Sequence, residues 1–243
     1  MHDPSRRRDF LTASGTITAS MLLAACGSRG ASGAARVRRL TERKNETLER
    51  KLFRHTSMDS PSASWKFAGG ALPSYFISPT VPVWDTAARG TWTLEVAGMV
   101  QHPLKLTLDM LQRLPSTTER VNHYCVEGWT AVESWTGVRM SELARVAGAL
   151  PEARYVDFQS FDRDGHGNYH ESWDLESVLH PQTVIAYGLD GHMLAPAHGA
   201  PARLYSPVKL GYKNTKYLTR IVFMPRRNGG YWSDQGYEWY AGT

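Results

Sequence analysis

What most constrains the fold is how the apolar residues are parcelled between Pro73 and Thr243. Short β-rich runs, "TWTLEVAGMV", "ARYVDFQSF", "TVIAYGLDG" and "KYLTRIVFM", recur there between polar turns. In the first, Trp92, Leu94 and Val96 alternate before a turn at Gly98, the period-two pattern of a strand with one buried face. Helical stretches are fewer. "LTLDMLQRLP" offers Thr107 as N-cap and Pro115 as stop, "TGVRMSELARVAGAL" sets Val138, Leu143 and Val146 at roughly helical spacing, and "WDLESVLHP" makes a third short helix. Scattered strands with short flanking helices predict an α+β domain, mainly β, built on an antiparallel or mixed sheet. No glycine-rich phosphate loop follows a strand, which argues against a doubly wound nucleotide-binding fold.

Two other segments precede that domain, which spans 73–243. Residues 1–25 read as an export signal, because Arg6, Arg7 and Arg8 precede Asp9, Phe10 and Leu11 in the twin-arginine pattern. From Leu11 to Ala25 no residue is charged, and the run is too short and too rich in Ser, Thr and Gly to span a bilayer. It ends Leu23-Ala24-Ala25-Cys26, a bacterial lipobox in which Cys26 is acylated and opens the mature chain; ordinary small-residue cleavage is the alternative. The expected location is periplasmic, lipid-anchored to a bacterial membrane at Cys26. The twin-arginine route exports folded proteins, commonly because a cofactor has already been inserted, so a cofactor is expected before any site is found. Residues 26–72 read as a polar tether, charged or rich in Ser, Pro and Gly, with a short exposed helix within "LTERKNETLERKLFRH".

Charge does not point to nucleic acid. The formal net charge is +5, many of the positive residues lie in the tether, and attraction to anionic headgroups or plain solvation accounts for them.

The chain has two cysteines. With Cys26 at the anchor, Cys125 in "HYCVEGWTAVESWTG" has no intrachain partner. In an oxidising compartment it is an inert buried residue, a nucleophile or a metal ligand. The polar run "NHYCVEGW" is unlike a core strand, and one Cys with one His falls short of the four ligands of structural zinc. His166 and His170 in "HGNYH" read as loop residues, since Gly167 and Asn168 oppose a helix there. Cys125 with His123 as a hydrolytic pair lacks an orienting third group.

Four segments, in order, resemble one family. They are "YFISPTVPVWD" with the following strand and helix, "CVEGWTAVESWTGV", "VIAYGLDGHMLAPAHGAPARLYSPVKLGYKNTKYLTRI" and "GYWSDQGYEWYAGT". Together they resemble the molybdenum-pterin oxidoreductases with the sulfite-oxidase fold, most closely the exported bacterial branch that includes the catalytic subunit of periplasmic methionine-sulfoxide reductase. The resemblance implies molybdenum with molybdopterin as cofactor and Cys125 as the thiolate ligand of the metal. It implies His198, Arg203, Lys213 and Lys216 as partners of the pterin phosphate, Gly211 as a point of close backbone approach, and the Tyr75-Phe76 loop as a cofactor contact.

Departures from the family pattern bear on the substrate. True sulfite oxidases follow the cysteine with an Ala-Gly-Asn-Arg run, whereas Val126, Glu127, Gly128 and Trp129 follow it here, and Ser78-Pro79 replaces a frequent Arg-Asn. A carboxylate beside the metal repels sulfite. Glu127 fits the reduction of an S-oxide or N-oxide, small or protein-bound, because removing oxygen as water consumes protons; a purely structural carboxylate is the other reading. The domain's single cysteine rules out a Cys-x-x-Cys-His haem attachment and a cysteine-ligated iron–sulfur cluster. A membrane haem subunit or a c-type cytochrome is the expected electron partner. Sulfite-type oxidation, or a non-catalytic cofactor-binding scaffold, is the alternative function.

Overall fold

The computed structural model describes residues 32–52 and 73–243. The twin-arginine motif, the lipobox with Cys26 and the linker 53–72 lie outside the described residues. Helix α1 (Ser32–Leu52) covers 21 residues, longer than the helix expected from the sequence, with Leu40, Leu48 and Leu52 exposed. Among the described residues no helix is long and apolar enough to cross a membrane.

From Pro73 onward the order is α2 (Thr86–Arg89), β1 (Thr93–Gly98), β2 (Leu104–Thr107), α3 (Leu108–Gln112), β3 (Ser116–Tyr124), β4 (Thr130–Arg139), α4 (Met140–Ala147), β5 (Tyr155–Arg163), β6 (Asn168–Asp174), α5 (Leu175–Val178), β7 (Val184–Leu189), β8 (His192–Met193), β9 (Arg203–Tyr205) and β10 (Leu218–Met224). One sheet runs β2-β1-β10-β5-β6; the other runs β3-β4-β7-β8, with β9 on β7. All pairings are antiparallel except β1 with β10. This is the mainly β architecture with short helices expected from the sequence.

The second sheet positions the site through its inner strand β7, which is buried on both faces. Strand β7 is buried almost throughout, and its alternation sends Ile185 and Tyr187 to the main core with Leu94, Val96, Phe158 and Ile221, and Val184 and Ala186 to a second cluster with Val121, Trp135 and Tyr205. Strands β4 and β7 lie close enough that a Cβ on Gly137 would come 2.2 Å from the Ile185 carbonyl oxygen. That contact requires glycine.

Two expectations need correction. Val138 belongs to β4, not to a helix; α4 begins at Met140 and buries Met140, Leu143, Ala144 and Ala147, the spacing of one helix face. His170 lies on β6, not in a loop, and its Nδ1 sits 3.0 Å from Asp157 on β5. The Thr107 cap is as expected, its hydroxyl accepting from the Met110 N–H.

Candidate active site

Hairpin β3–β4 turns through Cys125. The Cys125 N–H donates to the Trp129 carbonyl and the Gly128 N–H to the Cys125 carbonyl, both at 3.0 Å, with Gly128 at φ +85°, where a side chain is strained. The turn holds the half-buried thiol at a cavity of about 350 Å³. Burial pushes the thiol pKa up, only partly offset by the Glu127 backbone N–H, so the free thiol is not an activated nucleophile. His123 offers no help: its ring stacks on Trp129 and Tyr205, and burial, reinforced by Arg203 and Lys216, lowers its pKa to about 3. It stays neutral, which removes the imidazolium a cysteine–histidine hydrolase needs.

A second part of the wall comes from residues 196–216. Arg203, at the start of β9, lies over the Trp135 ring, itself stacked on Tyr205. Its guanidinium donates to the carbonyls of Leu204, His198 and Asn214 at 3.1–3.3 Å. Among the described residues it forms no ion pair. Lys216 donates to the Ala197 carbonyl at 3.1 Å, and burial with the nearby Arg203 lowers its pKa to about 7. His198, half-buried beside them, is lowered by the same causes. Buried cations that repel one another and lack a carboxylate within ion-pair reach form a site for an anion.

The remaining residues named from the sequence sort clearly. Tyr75 and Phe76 line the cavity, on a loop fixed by the Ile77 and Ser78 N–H groups donating to buried Asp162 at 2.9 and 3.0 Å. Glu127 is exposed at the mouth and accepts the Tyr75 hydroxyl. Gly211 approaches the His123 ring so closely that a Cβ would sit 2.9 Å from Nε2. Lys213 is the exception and corrects the expectation of a phosphate partner. Its side chain is fully buried away from the cavity, paired with Glu171 and bonded to the Ser172 carbonyl at 3.2 Å. Glu171 in turn accepts the Trp232 N–H at 3.0 Å, so the pair fastens the carboxyl-terminal aromatic segment.

Reading by segment missed Glu133, Trp135, Asn214 and Asp162, all lining the cavity. For Glu133 a signal existed: Ala131, Glu133 and Trp135 share one face of β4 and are all buried, so a period-two count places a carboxyl among apolar neighbours.

The residues fit a pterin-borne metal. Among the described residues no group of three or more His, Cys, Asp or Glu is arranged to hold a metal ion, so a metal at Cys125 has to bring further ligands with it. The uncompensated cations Arg203 and Lys216 suit the phosphate of such a group.

Comparisons agree. The model of the oxidoreductase molybdopterin binding domain matches residues 79–232. An Azospira oryzae protein provisionally named protein-methionine-sulfoxide reductase subunit YedZ1 is 34% identical over 249 residues, 98% of this chain and 88% of its own. The protein-methionine-sulfoxide reductase catalytic subunit MsrP of Gluconobacter oxydans is 32% identical over 155 residues, and the match covers 58% of this chain and half of that protein's length. Among solved structures, the sulfane dehydrogenase SoxCD of Paracoccus pantotrophus aligns with a TM-score of 0.51 at 25% identity, covering 56% of this chain and 39% of that one. The cavity thus has its family: the chain belongs to the molybdopterin-binding oxidoreductases of sulfite-oxidase fold, near the MsrP branch, and is an oxidoreductase that uses molybdenum with molybdopterin.

Proposed function

We propose that this oxidoreductase reduces an S-oxide or N-oxide, carried on a small molecule or a protein, with electrons from an external haem partner. The observation that carries this reading is the charge of the mouth. The exposed residues that line the cavity are Tyr75, Val126 and Tyr237 with one exposed carboxylate, Glu127, while both cations, Arg203 and Lys216, belong to the wall assigned to the cofactor. An aromatic rim with a negative charge favours a neutral oxide over an anion such as sulfite.

In this reading Cys125 binds the metal, and Arg203, Lys216 and His198 hold the phosphate beside the Tyr75–Phe76 loop. Bound there, the cofactor supplies two-electron oxygen-atom transfer. Tyr75 donates to Glu127 at the rim and orients it, where the carboxyl group relays a proton to the departing oxygen. Glu127→Gln is expected to slow viologen-linked sulfoxide reduction by about 10²-fold, within the range for a positioned acid–base group, with molybdenum content unchanged. A variant as fast as wild type on every oxide tested returns Glu127 to a structural role.

Oxidation in the reverse sense is the second reading, favoured by the likeness to a sulfane dehydrogenase. Proficient sulfite oxidation with an artificial acceptor, at rates above oxide reduction, would establish it.

Export and anchoring complete the proposal: a twin-arginine signal delivers the folded, loaded protein to the periplasm, and acylated Cys26 tethers it beside a membrane haem subunit or within reach of a c-type cytochrome. Replacing Arg7 and Arg8 together by lysine should strand cofactor-loaded protein in the cytoplasm. Undiminished periplasmic activity in that double variant removes the export assignment.

A further inference from the structure

Glu133 has no place in the chemistry above, yet it lines the same cavity as Arg203 and Lys216. It is 4% exposed, and its Oε2 is buried with no hydrogen-bond partner. An acid in that state needs a reason, because an unpaired buried polar oxygen is costly. The charges acting on it come from separate elements: Arg203 on β9, which favours its ionised form, and Asp190 in the β7–β8 turn, which opposes it. Trp135, its neighbour on the same face of β4, also favours the carboxylate, although the indole N–H is itself buried without a formed bond. Arg203 and Glu133 attract one another without forming an ion pair. The guanidinium gives a bond from each of its three nitrogens to backbone carbonyls, leaving two of its five N–H groups for another partner.

A buried cation with free donors and a buried acid with a free oxygen therefore face one cavity without satisfying each other. A phosphate group seated against Arg203 would be repelled by a Glu133 carboxylate and would accept a hydrogen bond from a Glu133 carboxylic acid. Among side chains, a carboxyl can change from acceptor to donor in this way by taking up one proton. We infer that Glu133 is the proton-controlled counter-charge of the anion site: ionised, it balances Arg203 in the cofactor-free protein, and protonated, it donates to the phosphate group of the bound cofactor. The inference rests on the cofactor assignment and is independent of which oxide is the substrate.

The titration of the group supports this. Burial, with Asp190 adding to it and Arg203 opposing it, holds the Glu133 pKa at about 7, so a small change in local charge tips it. Below that pH the acid form favours the anion, and above it the carboxylate repels the anion and affinity falls. Lys216, near 7, and His198 face the same cavity and also gain protons as an anion binds, so a pH slope in the wild type alone does not isolate Glu133.

Calorimetric titration of inorganic sulfate, a phosphate surrogate whose own charge does not change between these pH values, into the cofactor-free full chain, at pH 6 and pH 8 and in buffers of different ionisation enthalpy, separates the terms. Glu133→Gln should bind like wild type at pH 6 and roughly tenfold more tightly at pH 8, as follows for a group titrating near 7. It should also take up nearly one proton fewer at pH 8. Lys216→Met should bind more weakly and keep the proton uptake of Glu133, which preserves the test if the glutamine variant folds poorly. Equal proton uptake in wild type and Glu133→Gln, weaker binding by Glu133→Gln at pH 8, or no step near pH 7 in Lys216→Met overturns the inference. Release of molybdopterin from loaded protein at pH 8, followed by pterin fluorescence, tells the cofactor from a free anion. Slower release from Glu133→Gln supports the cofactor, and release independent of residue 133 overturns the assignment to it.

Discussion

Replacing Cys125 by serine is expected to abolish turnover while the pterin remains bound. Losing an outer partner of a metal ligand costs about 10–100-fold, and losing the soft sulfur ligand itself should cost more, since a hydroxyl is a poor substitute at a metal that changes oxidation state. Retention of the pterin follows from geometry. The cations Arg203 and Lys216 stand on the wall formed by residues 196–216, held by backbone carbonyls, while Cys125 sits in the hairpin turn after β3. The two grips are on separate elements. Pterin fluorescence and elemental analysis, read beside oxide reduction, check both halves. Wild-type turnover in Cys125→Ser refutes the ligand role, and loss of the pterin shows that the two grips are not independent.

Lys213→Met should destabilise the domain by about 3–5 kcal/mol, the usual cost of breaking a buried ion pair from one side. Lys213 and Glu171 both have fully buried side chains, and burial lowers the lysine pKa against the pull of Glu171. Removing the ammonium leaves a carboxylate with only neutral donors, the Trp232 N–H and the Ser233 hydroxyl, each at 3.0 Å. The segment carrying Trp232 should loosen with it, seen as altered tryptophan emission below the unfolding midpoint. Pairing Lys213→Met with Glu171→Leu should recover most of the loss, because no charge is then stranded. A phosphate-binding lysine behaves differently: the paired variant would fold and still lack the cofactor. That result, or a single variant as stable as wild type, overturns the structural role assigned to the pair.

The two lysines show where reading by sequence stopped. Lys213 and Lys216 are three residues apart in one segment, and nothing local distinguishes them. The 3-10 turn at Gly211–Lys213 sends one ammonium toward Glu171 on β6 and leaves the other beside Arg203. Which ammonium meets a carboxylate depends on strands far away in the chain.

Local chemistry was legible wherever it acts over a few residues. Strands β1, β5, β7 and β10 announced themselves by period and turn, the Thr107 cap by its hydroxyl, and the family by motifs in order. Hairpin β3–β4 did not, since along β3 only Val121 is fully buried and apolar alternation is too weak to count. Residues 73–243 by themselves thus determined the α+β class and the cofactor family, and singled out Cys125 as the expected metal ligand. Only the tertiary structure decided that Lys213 serves Glu171, that Arg203 forms no ion pair among the described residues, and that Glu133 shares its cavity. The physical reason is that burial and pairing of charge are set by what packs opposite a residue, and the packing partners here come from strands distant in sequence.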